Sequence, residues 1–367
     1  MKKLFFAFLL CSPALLLAQE KKNKIVMIVS SYGKDLGKTR PGFEMDEFSQ
    51  AYFIFKENGL QVDVASPKGG SVDAGPFNKL KPYNAKLLLD ERAIGLLKDT
   101  KPTSSLKANN YDAVYIVGGK GPMFDLVVDP SLQDFILAMD SNQSIISSIC
   151  HGTIALANIK KNNTYLVDKK MLTGFTNEEE AMFGKSGSEF PFLLEDRLIL
   201  RGANFKKVDA MLPNVVKDGN YITGQNPYST TLVAEEIVKS LGKALQNRPR
   251  YKDELSMVLV KTASIGYSIW AENELKTNRD NYDLELIAVY GYYQAMFAKD
   301  DLERVKKAVS IMELVIPYYY NENLFIPLAN YYKKLGNTEK AMKVLKEVLK
   351  KNPDAKAATD LLNKIKG

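Results

Sequence analysis

Short apolar runs alternate with helical periods from Lys24 to about Ser240, and this alternation restricts the fold more than any other feature of the chain. Ile25-Val26-Met27-Ile28-Val29 is uninterrupted by polar residues, as expected of a strand covered on both faces. A helix is predicted near Met45–Asn58. Its residues Phe48, Ala51, Tyr52 and Phe55 recur at i, i+3, i+4 and i+7, and Gly59 is a natural stop. Further strands are predicted at Val62–Ala65, at Ala113–Val117 before Gly118-Gly119, and at Ser144–Ile149 before Cys150. Val215-Val216 and Tyr221-Ile222-Thr223 flank an Asp218-Gly219 turn and read as a hairpin. Such a sequence implies a mostly parallel sheet with helices on both faces. In that architecture ligands bind beyond the carboxyl ends of the strands, where Gly118-Gly119 and Cys150 lie.

The pattern changes after Leu241. Residues 241–275 read as a linker, including Asn247-Arg248-Pro249-Arg250, and a leading helix. Residues 276–367 are helical in period throughout. Ala341, Val344, Leu345, Val348 and Leu349 form one apolar stripe. Ala308, Ile311, Met312, Val315 and Ile316 repeat that stripe 33 residues earlier. Leu335-Gly336, Ala341 and Pro353 make the later copy resemble a tetratricopeptide repeat, the alternative being a plain helical bundle. The resemblance implies an all-α domain that binds a protein partner and carries no catalytic group. Roughly three repeats are usually needed for a stable array, so this domain is also expected to lean on its neighbour or on a second copy, as in a homodimer.

The chain has 367 residues, with 50 Lys and Arg against 43 Asp and Glu. A net charge of +7 without a clustered basic face gives no reason to expect nucleic acid as a partner. Lys2, Lys3 and the apolar run Leu4–Leu17, ending at Ala18, have the layout of an export signal over residues 1–18. The expected location is therefore periplasmic or secreted, as a soluble protein. Without the signal the chain keeps one Cys, Cys150, and one His, His151. That excludes an intramolecular disulfide, a disulfide scaffold and a Cys/His metal cluster.

Cys150 follows an apolar strand and precedes what reads as a helix start at His151-Gly152-Thr153. A nucleophile on a tight strand-to-helix turn is held clear of the sheet, and a helix N-terminus lowers a thiol pKa. Cys150 is accordingly expected to be a reactive thiolate.

Ser148-Ile149-Cys150-His151-Gly152 resembles the nucleophile elbow of the ThiJ/PfpI superfamily, relatives of class I glutamine amidotransferases. Gly118-Gly119 with Gly121-Pro122-Met123 is similar to its glycine turn, and Gly42-Phe43 with Glu47 to its first helix. Thr173–Asn177 and Ile222–Pro227 match two further segments. The likeness covers about residues 24–240 and is greatest to the heat-shock chaperone and glyoxalase III branch. It implies a flavodoxin-like α/β sheet sandwiched by helices, with Cys150 as nucleophile, His151 beside it and Glu47 approaching from the first helix. Glu180 falls at the third, acidic position, with Glu179 and Glu178 as rivals one and two residues away. Glu44 and Asp46 are rivals of Glu47, and Glu44→Gln is expected to matter little. The backbone N–H groups of Gly119 and His151 are the implied oxyanion donors. Lys120 stands where the branch shows His and Phe124 where it shows Trp, which puts substrate preference in doubt; a Lys there favours a thiolate and an anionic substrate.

The resemblance implies a Cys-dependent enzyme of the glyoxalase III type. It would convert a 2-oxoaldehyde such as methylglyoxal to a hydroxy acid without a cofactor or metal, or act as a protein deglycase. A Cys peptidase or amidase needs the same nucleophile, base and oxyanion hole, and a non-enzymatic stress chaperone needs none of them.

Overall fold

A computed structural model describes residues 23–183 and 190–366; the export signal expected over residues 1–18 lies outside them. Seven strands form the central sheet: β1 (Lys24–Ile28), β2 (Gln61–Ser66), β3 (Lys101–Pro102), β4 (Ala113–Ile116), β5 (Ile145–Ile149), β6 (Val215–Asp218) and β7 (Tyr221–Gly224). Their spatial order is β6-β7-β5-β4-β1-β2-β3. All neighbours are parallel except β6 and β7, the expected hairpin. β1 pairs Ile25 with Val62 of β2 and with Ala113 of β4, and β5 pairs Ser148 with Thr223 of β7.

Successive side chains of a strand point to opposite faces, so the apolar runs fill two cores at once. Ile25, Met27 and Val29 pack with α1 (Met45–Glu57), and Val26 and Ile28 pack on the opposite face. α2 (Pro82–Leu88) sits against α1, and α3 (Glu91–Lys98) against α2 and β2. α4 (Pro130–Ser141), α5 (Asn177–Phe183), α6 (Leu194–Leu200) and α7 (Thr230–Ser240) complete the layers. Val233 and Ile237 of α7 join the α1 face, and Leu132, Ile136 and Met139 of α4 join the other. The α1 boundary follows the sequence closely. Glu57 ends it, Gly59 takes φ 74°, and the Leu60 N–H donates to the Phe55 carbonyl.

Seven more helices follow: α8 (Lys252–Ser264), α9 (Ser268–Asn278), α10 (Leu284–Phe297), α11 (Leu302–Val315), α12 (Glu322–Lys334), α13 (Thr338–Lys351) and α14 (Lys356–Lys366). α10 packs on α11 and α12 on α13. The two 33-residue-spaced stripes occupy equivalent places: Ala308, Ile311, Met312 and Val315 are buried on α11, and Ala341, Val344, Leu345 and Val348 on α13.

This helical region packs against the α/β region. Leu212 of the α/β region belongs to the same apolar core as Met257, Ile287 and Val305. The stretch expected to be a linker is fastened as well. Arg248 reaches Glu235 on α7 at 2.7 Å and Glu254 on α8 at 2.8 Å. All three side chains are almost entirely buried, and burying charges requires that they be paired. The Tyr83 hydroxyl on α2 donates to Asp253 at 2.7 Å.

Candidate active site

β5 ends at Ile149, which is extended with φ −133°, and the chain then reverses at Cys150 with φ 54°. A left-handed conformation at a buried non-glycine residue is strained and persists only where its surroundings impose it. Two glycines make the turn possible. A Cβ on Gly152 would lie 2.5 Å from the Ile116 carbonyl oxygen, so only glycine lets the turn close onto the end of β4. A Cβ on Gly118 would lie 2.7 Å from Glu47 Oε2 and 2.9 Å from Cys150 Cβ. The bare backbone of Gly118 is what lets the α1 carboxyl and the thiol share one space.

The segment after Cys150 is a 3-10 turn over Cys150–Leu156, not the α-helix start read from the sequence. It is too short and too irregular to present a full helix macrodipole. The expected resting thiolate is corrected accordingly. Burial pushes the Cys150 thiol well above its ordinary value, with the carboxyls of Glu47 and then Glu179 adding to the rise and the His151 N–H opposing it.

The His151 ring lies beside the thiol. His151 Nδ1 lies 3.4 Å from Cys150 Sγ, and Nε2 pairs with Glu180 Oε1. A carboxylate only accepts hydrogen bonds, so this pair puts the ring proton on Nε2 and leaves Nδ1 to accept from the thiol. Phe175, 4.5 Å away between ring centroids, and Phe190, at 5.7 Å, flank the imidazole.

The run Glu178-Glu179-Glu180 divides into three roles. Glu180 faces His151. Glu179 is wholly buried; its Oε2 accepts from the Thr176 N–H at 2.8 Å and its Oε1 from Met211 N, Gln225 and Asn226 at 2.8, 3.0 and 2.8 Å. The Thr176 hydroxyl in turn accepts from the Glu179 N–H at 3.1 Å, which makes a capping box at the start of α5. Glu178 points outward to Arg304 of α11. The Thr-x-x-Glu spacing of Thr176 and Glu179 was the sequence signal that assigns Glu179 to the cap and frees Glu180 for the site.

Glu47 is completely buried on α1. Its Oε2 accepts from the Gly118 N–H at 2.7 Å, and its Oε1 has no hydrogen-bond partner. Burial, then the neighbouring Glu44 charge, push this carboxyl well above the usual range. Glu47 thus holds its proton more readily than a free carboxyl, close beside the thiol. Glu44 caps α1, and burial raises it to about 7, with the Asp46 charge adding to the rise. Spacing alone set Glu44 aside; its placement near both Glu47 and Cys150 was not visible in the sequence. Gly119, with φ 88°, and Lys120 are half-buried on the loop leaving β4. Phe124 stacks on Tyr32 with ring centroids 4.5 Å apart.

The strand-turn-cysteine segment lies within a region shared with known proteins. Residues 38–240 match the model of the DJ-1/PfpI family. The chain belongs to the DJ-1/PfpI family. Over 243 residues it is 28% identical to the glutathione-independent glyoxalase hsp3102 of Schizosaccharomyces pombe, covering 60% of this chain and 98% of that protein. It is 26% identical over 233 residues to glyoxalase 3 of Candida albicans, covering 59% of this chain and 97% of that one. Among solved structures, the 24 kDa rapid encystment protein of Francisella tularensis superposes with a TM-score of 0.56 at 30% identity, covering 59% of this chain and 98% of that chain. The helices from α8 onward lie beyond the family match.

Proposed function

We propose that this chain is a glutathione-independent glyoxalase acting on small 2-oxoaldehydes such as methylglyoxal. The observation that carries the reading is the placement of the buried Glu47 carboxyl and a His151 ring nitrogen around one thiol. Cys150 Sγ attacks the aldehyde carbon C1 as its proton passes to His151 Nδ1. Glu47 donates to the new oxygen, giving a hemithioacetal. The Glu47 carboxylate takes the hydrogen of C1 as a proton while His151 gives its proton to the C2 oxygen, and an enediol forms. Glu47 returns its proton to C2, which becomes the alcohol, and takes the C1 hydroxyl proton as C1 becomes a thioester. Water, deprotonated by His151, then releases the 2-hydroxy acid and restores the thiol. C1 is oxidised and C2 reduced within one molecule, so the balance needs water and no external redox partner. Glu180 holds the imidazole in the tautomer that accepts at Nδ1. Gly119 and His151 N–H groups serve as oxyanion donors, and Lys120 borders the mouth of the site. The names of the relatives support the same chemistry.

The test is consumption of methylglyoxal by the full chain with glutathione omitted, compared with Cys150→Ala. Loss of consumption in the variant supports the proposal. Equal consumption by both proteins contradicts it.

A further inference from the structure

α5 is seven residues long, and a helix that short is marginal on its own. Its place is set by what surrounds it, and three consecutive glutamates report on three different neighbours. Glu180 holds His151 on the inner side. Glu179 closes the capping box and accepts from the Met211 N–H. Glu178 forms an ion pair with Arg304 of α11 on the outer side. One helical turn farther, Phe183 packs on Tyr293 of α10 with ring centroids 5.2 Å apart.

The segment that supports Glu179 is clamped from the same side. Lys307 reaches Asp209 at 2.6 Å, Gln294 Nε2 donates to the Ala210 carbonyl at 3.0 Å, and Lys261 Nζ donates to the Pro213 carbonyl at 2.6 Å. Both supports of α5, direct and through Met211, thus originate in helices that follow the family domain.

We propose that the helical region positions the acid of the active site, with Arg304 and Tyr293 as positioning residues that act through α5 on Glu180 and His151. The kinetic part of this proposal rests on the glyoxalase reading above; the structural part does not. Arg304 and Glu178 are both partly exposed, so their pair adds little to stability. Its contribution is to orientation, and misplacing a catalytic group by about 1 Å costs up to roughly a hundredfold in rate.

His151 is the only histidine, so its ring nitrogens give a single set of resonances in the full chain expressed without a histidine tag. Arg304→Ala and Tyr293→Ala are compared with the wild type in that spectrum and in methylglyoxal turnover. Lys340→Ala, which breaks a 2.5 Å pair with Glu313 remote from α5, is the control. The proposal expects the Nε2 signal to move toward tautomer averaging in Arg304→Ala and Tyr293→Ala, with kcat lowered about tenfold or more and KM little changed. Reversing the pair in Glu178→Arg/Arg304→Glu restores both, and Lys340→Ala moves neither. Unchanged His151 signals in Arg304→Ala and Tyr293→Ala overturn the proposal, as does a reversed pair that restores nothing. A wild type without methylglyoxal turnover would sink the glyoxalase reading alone, because the spectrum still decides whether the helical region sets His151.

Discussion

Glu180 and Cys150 engage opposite nitrogens of the same imidazole, Glu180 at Nε2 and Cys150 at Nδ1, 3.4 Å from its sulfur. In the proposed reaction this relationship sets the tautomer and makes His151 the acceptor of the thiol proton. Glu180→Gln is expected to keep the fold and lower turnover by roughly 10²-fold or more, since a positioned base contributes about 10²–10⁴-fold. Glu179→Gln is expected to act differently. It weakens a buried group that accepts several hydrogen bonds, so unfolding shows a loss of about 1–3 kcal/mol. Equal effects of the two variants on rate and on melting would argue against this division of labour.

Glu47→Gln preserves shape and removes the acid. Turnover is expected to fall by roughly 10²–10⁴-fold with the melting temperature little changed. A variant within about threefold of the wild type would remove Glu47 from the mechanism.

Glu44 gives a pH signature. Its folded value of about 7 lies above the ordinary 4.5, so the folded protein binds more protons than the unfolded chain between them. This contribution favours folding at low pH and turns unfavourable as pH rises through that window. Glu44→Gln is expected to flatten the decline of stability between pH 4.5 and 7, read from urea unfolding at a series of pH values. The same slope in wild type and variant would contradict the assignment.

Cys150 labelling by iodoacetamide is expected to have its midpoint above about 8.5, the ordinary thiol value, because burial and neighbouring carboxyls raise it. A midpoint below 7 would restore the resting thiolate read from the sequence.

Arg248→Ala leaves the buried Glu254 and Glu235 with only the partly exposed Arg250 as cation, 2.6 Å and 3.7 Å away. Breaking a buried charged group costs up to roughly 3–5 kcal/mol and Arg250 offsets part of it, so a clear drop in melting temperature is expected. A change within a degree would show that the stretch between the α/β and helical regions is a simple spacer.

Much of this was legible in order along the chain. The apolar runs located β1, β4 and β5, Asp218-Gly219 located the β6–β7 turn, and the Cys150-His151 pair located the elbow. Those signals are local, since strand burial and turn chemistry are written in neighbouring residues. What sequence misjudged depends on contacts between distant segments. The 3-10 character of Cys150–Leu156 follows from packing on β4 through Gly152. The thiol's rise follows from α1 lying across it. The involvement of Arg304 and Tyr293 with α5 joins residues more than a hundred positions apart, and no periodicity announces such a pair.

The central claim is an internal redox rearrangement carried out on Cys150, and product identity tests it most directly. Proton NMR of methylglyoxal incubated with the full chain, glutathione omitted, should show one lactate formed per methylglyoxal consumed, and none with Cys150→Ala. Consumption of methylglyoxal without lactate, or lactate formed equally by Cys150→Ala, would contradict the account.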